Sequence, residues 1–381
     1  MNFIETLNQN WGTALLFWMF FVFSIMLAHL YQYIFYKSDT GSRNQSLIIK
    51  WIFLLVVIAG PAILIGVRRF DVGADTSNNW IAYMNLGVVD SIKISFFTTG
   101  IDKPLFFLIH YTVFLVFNGT PTIFFTIISF LTLFILVLAL DKWKDKLSIS
   151  FALFVYYSFF GMQLLNQSRQ MLALSILFYA LYSLSEKKIL KYILIISIAG
   201  MIHFTAFVGI LFLLFNFKRT KHYLGKNYLF YFILLGATFF MEPILKITSK
   251  IIPGKYSAYI NFHSSSDIGL GLALNVLPVI IPILLFRGYI VANNYQYLKR
   301  IAFLTLPFRL AGYISYFVMR MYYYGAIPIV ILFPMIIKSI ESRRGSVLAF
   351  IFFVVLCCVY YIVNYMFVNS AYLFPYHSVF D

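Results

Sequence analysis

Residues 121–146 read PTIFFTIISFLTLFILVLALDKWKDK, and this stretch decides the fold. From Pro121 to Leu140 there is no charge, and Lys142, Lys144 and Lys146 follow at once. Twenty residues at about 1.5 Å of rise make a helix of about 30 Å, the thickness of a bilayer's hydrocarbon core. Lysines crowded at one end of such a run hold that end on the cytoplasmic side. The same pattern, an uncharged run closed by a basic cluster, recurs along the chain.

Composition agrees. Of 381 residues, 62% are hydrophobic, 20% aromatic and 11% charged. A soluble protein carries about 25% charged residues, enough to wet the surface of two or three domains; this chain does not. The implied fold class is all-α: a polytopic transmembrane helical bundle forming a single integral membrane domain over residues 1–381. Cys357 and Cys358 are neighbours in one apolar run, so neither a disulfide scaffold nor a metal-ligand spacing is present. Met1 to Tyr36 has no Lys or Arg before its apolar stretch, which argues against a cleaved leader. The net charge of +16 does not point to nucleic acid, because the basic residues come in threes and fours between apolar runs, as orienting loops do.

Spans are expected near 12–36, 47–66, 121–140, 148–165, 170–185, 189–203, 204–217, 228–241, 270–286, 301–318, 322–337 and 347–368. The apolar segment 104–117 is read as an interfacial or re-entrant helix. If it crossed, every later basic loop would change sides. Left uncrossed, it lets Lys37/Arg43/Lys50, Lys142/Lys144/Lys146, Lys187/Lys188/Lys191, Lys218/Arg219/Lys221/Lys226, Arg287/Lys299/Arg300 and Lys338/Arg343/Arg344 all face the cytoplasm. The sequence therefore predicts about 12 spans, both ends outside, and external loops at 67–103 and 242–268.

The basic residues left over are the informative ones. Arg68, Arg69, Lys93, Lys103, Arg169, Lys246, Lys250, Lys255 and Arg320 fall on the outer side, and Arg309 falls mid-span. A central arginine costs about 2.5–3.5 kcal/mol on insertion scales, so it must face protein or a wet cavity. Arg169 stands in Asn166-Gln167-Ser168-Arg169-Gln170 at a helix boundary, and Arg320 precedes Tyr322-Tyr323-Tyr324. His203 lies at the turn between two apolar runs, where a neutral imidazole is able to act as a base. In Arg68-Arg69-Phe70-Asp71-Val72-Gly73-Ala74-Asp75, Gly73 argues for a turn, and the bland reading pairs both carboxylates with both arginines in a solvated cluster. No Asp-x-Asp pair, metal-ligand cluster, Walker loop or nucleophile elbow is present, and no carboxylate stands at the centre of a span. Arginines converging on the outer half of a bundle suit an anionic headgroup such as a lipid-linked diphosphate.

At these residues the chain resembles the EpsG branch of the Wzy-type polysaccharide polymerases. The resemblance is carried by Arg69-x-Asp71-Val72-Gly73-x-Asp75 after the second span and Asn166-x-x-Arg169-Gln170 opening a middle helix. His203 and Arg320 with its tyrosines and Pro328 complete the ordered set. One position differs: family members often place a Tyr soon after Gly-x-Asp, whereas here Thr76-Ser77-Asn78-Asn79-Trp80 follows and Tyr83 comes later. The resemblance implies a GT-C-like membrane glycosyltransferase fold, shared with the O-antigen ligases, with an external loop over the site. It implies transfer of an O-antigen or exopolysaccharide chain from undecaprenyl diphosphate to the non-reducing end of a lipid-linked repeat unit, outside the cytoplasmic membrane.

On that reading Arg169, Arg309 and Arg320 bind the diphosphate with Arg69 assisting, and His203 or Asp75 is the base. Gln170, Asp71, Arg68 and Tyr323 contact substrate. No metal or other cofactor is expected, because fixed guanidinium groups are able to take the place of a divalent cation at the leaving group. The partners expected are the undecaprenyl-diphosphate-linked donor and acceptor, membrane lipid, a chain-length regulator and a flippase, with no nucleic acid. Rival readings are an O-antigen ligase with another acceptor, a flippase or exporter of the same lipid, and a structural subunit of an envelope complex.

Overall fold

The structure is a computed structural model and describes residues 3–37, 47–84, 103–216, 268–292, 295–311, 319–369 and 372–381. The expected span at 228–241, most of the loop 242–268 and the second half of the loop 67–103 lie outside the described residues. Among the described residues the regular structure is helical, with one isolated bridge between Arg68 and Ser378. Two compact units emerge: Met1–Phe207 with Phe333–Asp381, and Val208–Leu332.

The first unit is built from α1 (Phe3–Gln32), α2 (Leu47–Gly66), α3 (Thr76–Met84), α4 (Pro104–Val116), α5 (Pro121–Lys142), α6 (Ile149–Phe159), α7 (Ser168–Ser185) and α8 (Ile189–Ile202). Later in the chain come α15 (Ile329–Ser339), which belongs to this unit from Phe333 onward, and α16 (Arg343–Tyr361). Helix α1 packs on α2 and α6, α2 on α5, α5 on α7, and α7 on α8. Helix α7 is therefore interior, with Leu174, Leu177, Phe178 and Leu181 all buried. Between apolar helices in lipid there is little hydrophobic drive, so contact geometry holds the bundle. Gly66 permits the closest approach: a Cβ there would lie 2.5 Å from the Cα of Thr126. Elsewhere rings interlock, with Phe21 on Tyr157 at 4.2 Å and Phe159 on Tyr360 at 4.0 Å between centroids.

Among the described residues, five helical segments are long and apolar enough to cross a membrane: Asn10–Tyr36, Ile48–Gly66, Pro121–Lys142, Tyr322–Ser339 and Arg343–Phe367. Their outward faces carry Met19, Phe23, Ile52, Ile63, Leu348 and Ile351 exposed, which suits lipid and not water. Helix α4 has 13 residues, about 20 Å, short of a bilayer core. Asn118 and Gly119, at φ 50 and 69, then turn the chain into α5.

Several expected spans are not continuous helices. The segment 148–165 is helical only to Phe159 and continues as a 3-10 turn, Gly161–Leu165. The segment 204–217 is mainly the 3-10 helix Phe204–Phe212, followed by α9 (Leu213–Asn216). The segment 301–318 breaks at Leu304 into α12 (Gln296–Phe303) and α13 (Thr305–Leu310), with residues 312–318 outside the description. Pro307 is the cause, since it cannot donate to Phe303 and crowds that carbonyl. Pro328 likewise separates α14 (Tyr322–Ala326) from α15.

In the second unit α10 (Ile268–Leu285) leads into α11 (Arg287–Ala292) and packs on α12 and α13, which both meet α14.

At the lysine-rich end of α5, three helices are tied through Asp141. Tyr31 and Tyr36 donate to its Oδ1 at 2.8 and 2.7 Å, and Lys50 reaches Oδ2 at 3.3 Å. Beside it the buried Gln32 amide donates to the carbonyls of Lys144 and Leu147 and accepts from the Ile149 N–H, each at 2.9 Å. Gln32→Leu should therefore cost about 1–3 kcal/mol, because it strands buried backbone groups. The measurement is the thermal-unfolding midpoint in detergent against the lipid-facing control Met19→Leu, and equal midpoints would refute the clamp.

Candidate functional site

Adjacent arginines at the end of α2 have opposite surroundings. Arg68 is fully buried. Its Nη1 donates to the Ile65 carbonyl and its Nη2 to Ser168 Oγ, both at 2.8 Å, while Nε donates to Thr76 Oγ1 at 3.3 Å. The guanidinium also lies 4.0 Å from the Phe125 ring centroid. This corrects the expectation of a solvated cluster holding both arginines. Four elements close around Arg68, which links α2, α3, α5 and α7. Burial lowers its pKa to about 9, so it stays charged at neutral pH.

Arg69 points the other way and is part-exposed. Nε donates to Asp71 Oδ1 at 2.8 Å and Nη2 to Oδ2 at 2.5 Å, a fork-to-fork pair, and Nη2 also lies 2.9 Å from His377 Nδ1. The bonded guanidinium holds the Asp71 carboxyl below the usual carboxylate range, so the carboxylate is ionised at neutral pH.

The loop next turns at Gly73, whose φ is +91. A Cβ there would stand 2.8 Å from the Leu165 carbonyl and 3.1 Å from the Asn166 Cα. Thr76 Oγ1 donates to that same Leu165 carbonyl at 2.7 Å. The Asp75 N–H donates to Asn166 Oδ1 at 2.8 Å. Two motifs some ninety residues apart, Arg-x-Asp-Val-Gly-x-Asp and Asn-x-x-Arg-Gln, are thereby seated on each other. The Asp75 carbonyl accepts from the Asn79 N–H at 3.2 Å, which sets Asp75 at the start of α3 with its carboxylate part-exposed.

The segment opening α7 is rich in buried amides. Gln163, Asn166, Gln167 and Gln170 are all buried, and Gln163 Oε1, Asn166 Nδ2 and Gln167 Oε1 have no hydrogen-bond partner among the described residues. Buried amide groups of this kind are normally satisfied by water or ligand. Arg169, half-buried, lies over the Phe106 ring of α4 at 5.5 Å. Near it His110, on the short helix α4, stacks on Tyr83 and Phe124 at 4.8 and 4.6 Å. Burial, and then the charges of Arg169 and Lys103, push His110 down to about 3, so it is neutral. Tyr83 itself is fully buried. His203 caps α8, with Thr205 Oγ1 2.6 Å from its Nδ1. Helices α7 and α8 are antiparallel across a short turn, so His203 shares the bundle end that carries Arg169.

The second unit gathers the remaining candidates. Arg309 follows the Pro307 break instead of standing mid-span; its guanidinium lies 5.7 Å from the Tyr322 ring and donates to the Met319 sulfur. Tyr322 donates to Asn275 Oδ1 at 3.1 Å and stacks on Tyr323 at 4.1 Å. Arg320 is half-buried at the turn before α14, whereas Tyr323 is buried.

The order of these motifs has a counterpart: a match to the EpsG family extends over residues 51–378. The chain belongs to the EpsG family. It is accordingly a membrane protein of polysaccharide-polymerase type. Comparison with curated proteins and with solved structures returned no match. The EpsG match spans the Arg68–Asp75 loop, the Asn166–Gln170 segment and His377 alike. Sequence reasoning missed His377, which stands in the aromatic-rich stretch Tyr372-Leu373-Phe374-Pro375-Tyr376-His377 with no local signal, and His110, whose apolar helix offered only its own oddity. Gln163 was legible only as part of a turn.

Two substitutions probe this EpsG-family arrangement. Gly73→Ala should cost about 1–3 kcal/mol, since a side chain is strained at that φ and meets backbone. Arg68→Lys should lower the unfolding midpoint more than Arg69→Lys does, because an ammonium cannot span the three acceptors. The reverse ranking would refute the buried-anchor reading.

Proposed function

We propose that this EpsG-family protein is a glycan polymerase that transfers a growing O-antigen or exopolysaccharide chain from undecaprenyl diphosphate to a lipid-linked repeat unit. The acceptor is the non-reducing end of that unit, and the reaction takes place on the outer face of the cytoplasmic membrane. The observation that carries the reading is the seating of the Arg69–Asp75 loop on the Asn166–Gln170 segment through the Asp75–Asn166 hydrogen bond. It sets arginines, carboxylates and unpartnered amides at one end of the first unit. Orientation outside follows from the lysine-rich loops on the opposite ends of the helices. About 12 spans and a GT-C-like fold belong to this proposal.

In the proposed step an acceptor hydroxyl attacks the donor's anomeric carbon and the bond to the lipid diphosphate breaks. The anomeric centre inverts in that single displacement. Negative charge grows on the departing diphosphate. Arg169 and Arg69 are the groups of the first unit assigned to hold that charge without a metal, and Arg309 and Arg320 keep the diphosphate-binding role that the family resemblance implies. His203 is the first candidate to accept the hydroxyl proton and Asp75 the second. Gln170 and Asp71 orient substrate. Arg68 passes from substrate contact to support of the loop.

The test is purified protein in liposomes given a lipid-diphosphate-linked oligosaccharide and EDTA, with products resolved by length. A ladder of repeat multiples is expected, and Arg169→Ala should lower its rate by about 100-fold or more, the loss usual for a transition-state donor. An inserted, folded Arg169→Ala that polymerises at the parental rate would overturn the assignment. Movement of substrate between leaflets with no ladder would replace the polymerase reading with a transporter.

A further inference from the structure

The isolated bridge between Arg68 and Ser378 marks a segment that neither motif accounts for. It is flanked by two backbone hydrogen bonds: the Arg69 N–H donates to the His377 carbonyl at 2.9 Å, and the Val379 N–H to the Val67 carbonyl at 2.8 Å. The Gly73 N–H reaches the Tyr372 carbonyl at 3.0 Å. Tyr376 pins the segment to two helices: its N–H donates to Thr13 Oγ1 at 3.0 Å and its hydroxyl to the Leu64 carbonyl at 2.6 Å. The Asn369 side chain braces the turn before it, accepting from the Leu373 and Phe374 N–H groups at 2.9 and 3.0 Å. Residues Tyr372–Asp381 thus lie across the loop that carries Arg69 and fix its backbone.

The side-chain contact gives this strap a chemical role. Arginine only donates, so at 2.9 Å from Arg69 Nη2 the His377 Nδ1 must accept. That requires a neutral ring with its proton on Nε2. Asp71 holds the same guanidinium from within the loop. An arginine on a long flexible stem, fixed by two acceptors, meets an anion with little ordering left to do.

We propose that Tyr372–Asp381 is a positioning strap for the candidate site and that His377 is a positioning residue that aims Arg69 at the anionic ligand. The strap stands on backbone geometry alone; the aiming role rests on the diphosphate reading above. The charged groups facing His377 are Arg69 and Asp71 on the loop and Asp381 on the strap itself, while α1 and α2 present the Thr13 hydroxyl and the Leu64 carbonyl to the neighbouring Tyr376.

Two measurements on the full chain test this. The first is cross-linking of Val67→Cys with Val379→Cys after Cys357 and Cys358 are replaced by Ala. Opposed antiparallel residues lie about 5.5 Å apart, within disulfide reach. An intramolecular disulfide on mild oxidation supports the strap, and failure to form one overturns it.

The second is binding of undecaprenyl diphosphate to protein in nanodiscs at pH 8. His377→Ala should weaken binding about fivefold at pH 8, the worth of one net hydrogen bond. His377→Gln, whose amide oxygen is able to accept, should retain the parental affinity. The aiming role falls if His377→Ala binds like the parent while Arg69→Ala binds weakly. If Arg69→Ala itself binds like the parent, the aiming role falls together with the diphosphate assignment of Arg69, and the cross-link still decides the strap.

Discussion

The fold of the first unit turns on one buried charge. Arg68 sits among apolar helices with no carboxylate partner among the described residues, in surroundings where an unmet guanidinium would cost several kcal/mol. It is tolerated because each face of it is met: the Ile65 carbonyl at the negative end of α2, the hydroxyls of Thr76 and Ser168, and the Phe125 ring. These partners come from the end of one helix, the start of two others and the flank of a fourth. Moving any of them would expose an uncompensated charge, so the charge fixes where the loop leaves α2 and where α7 begins.

With Arg68 fixed inward, alternation along the extended backbone sends Arg69 outward, and two features of the loop follow. Asp71 and His377 are placed to hold the outward guanidinium. Gly73 is then required at the point where the loop presses on Leu165 and Asn166. The result is a floor of backbone and buried amides beneath an outward guanidinium held by two acceptors.

Much of this was legible in the chain. Uncharged runs such as 121–140 and 347–368 announce membrane helices because lipid forces backbone groups to pair within a helix. The motif order announced the family. Other features depend on contacts that periodicity cannot encode. Nothing local distinguishes Arg68 from Arg69. The breaks at Pro307 and Pro328 are visible in sequence, yet the apolar residues around them read as unbroken spans. Tyr83 looked like a displaced loop residue and is a core ring packed on His110 and Phe124. His377 comes to Arg69 across 308 positions, beyond the reach of any spacing argument.

The interlock of Gly73 with Leu165 and Asn166 sets the unit of exchange for this architecture. The two segments fit like the halves of a mould, with one lacking a side chain where the other brings its backbone. A chimera that took the loop from one homologue and the opening of α7 from another would divide that fit. Altered specificity is therefore more accessible by transplanting residues 67–84 and 160–170 together, with the strap, than by swapping the loop alone. For inheritance and for design alike, these three separated stretches behave as a single cassette.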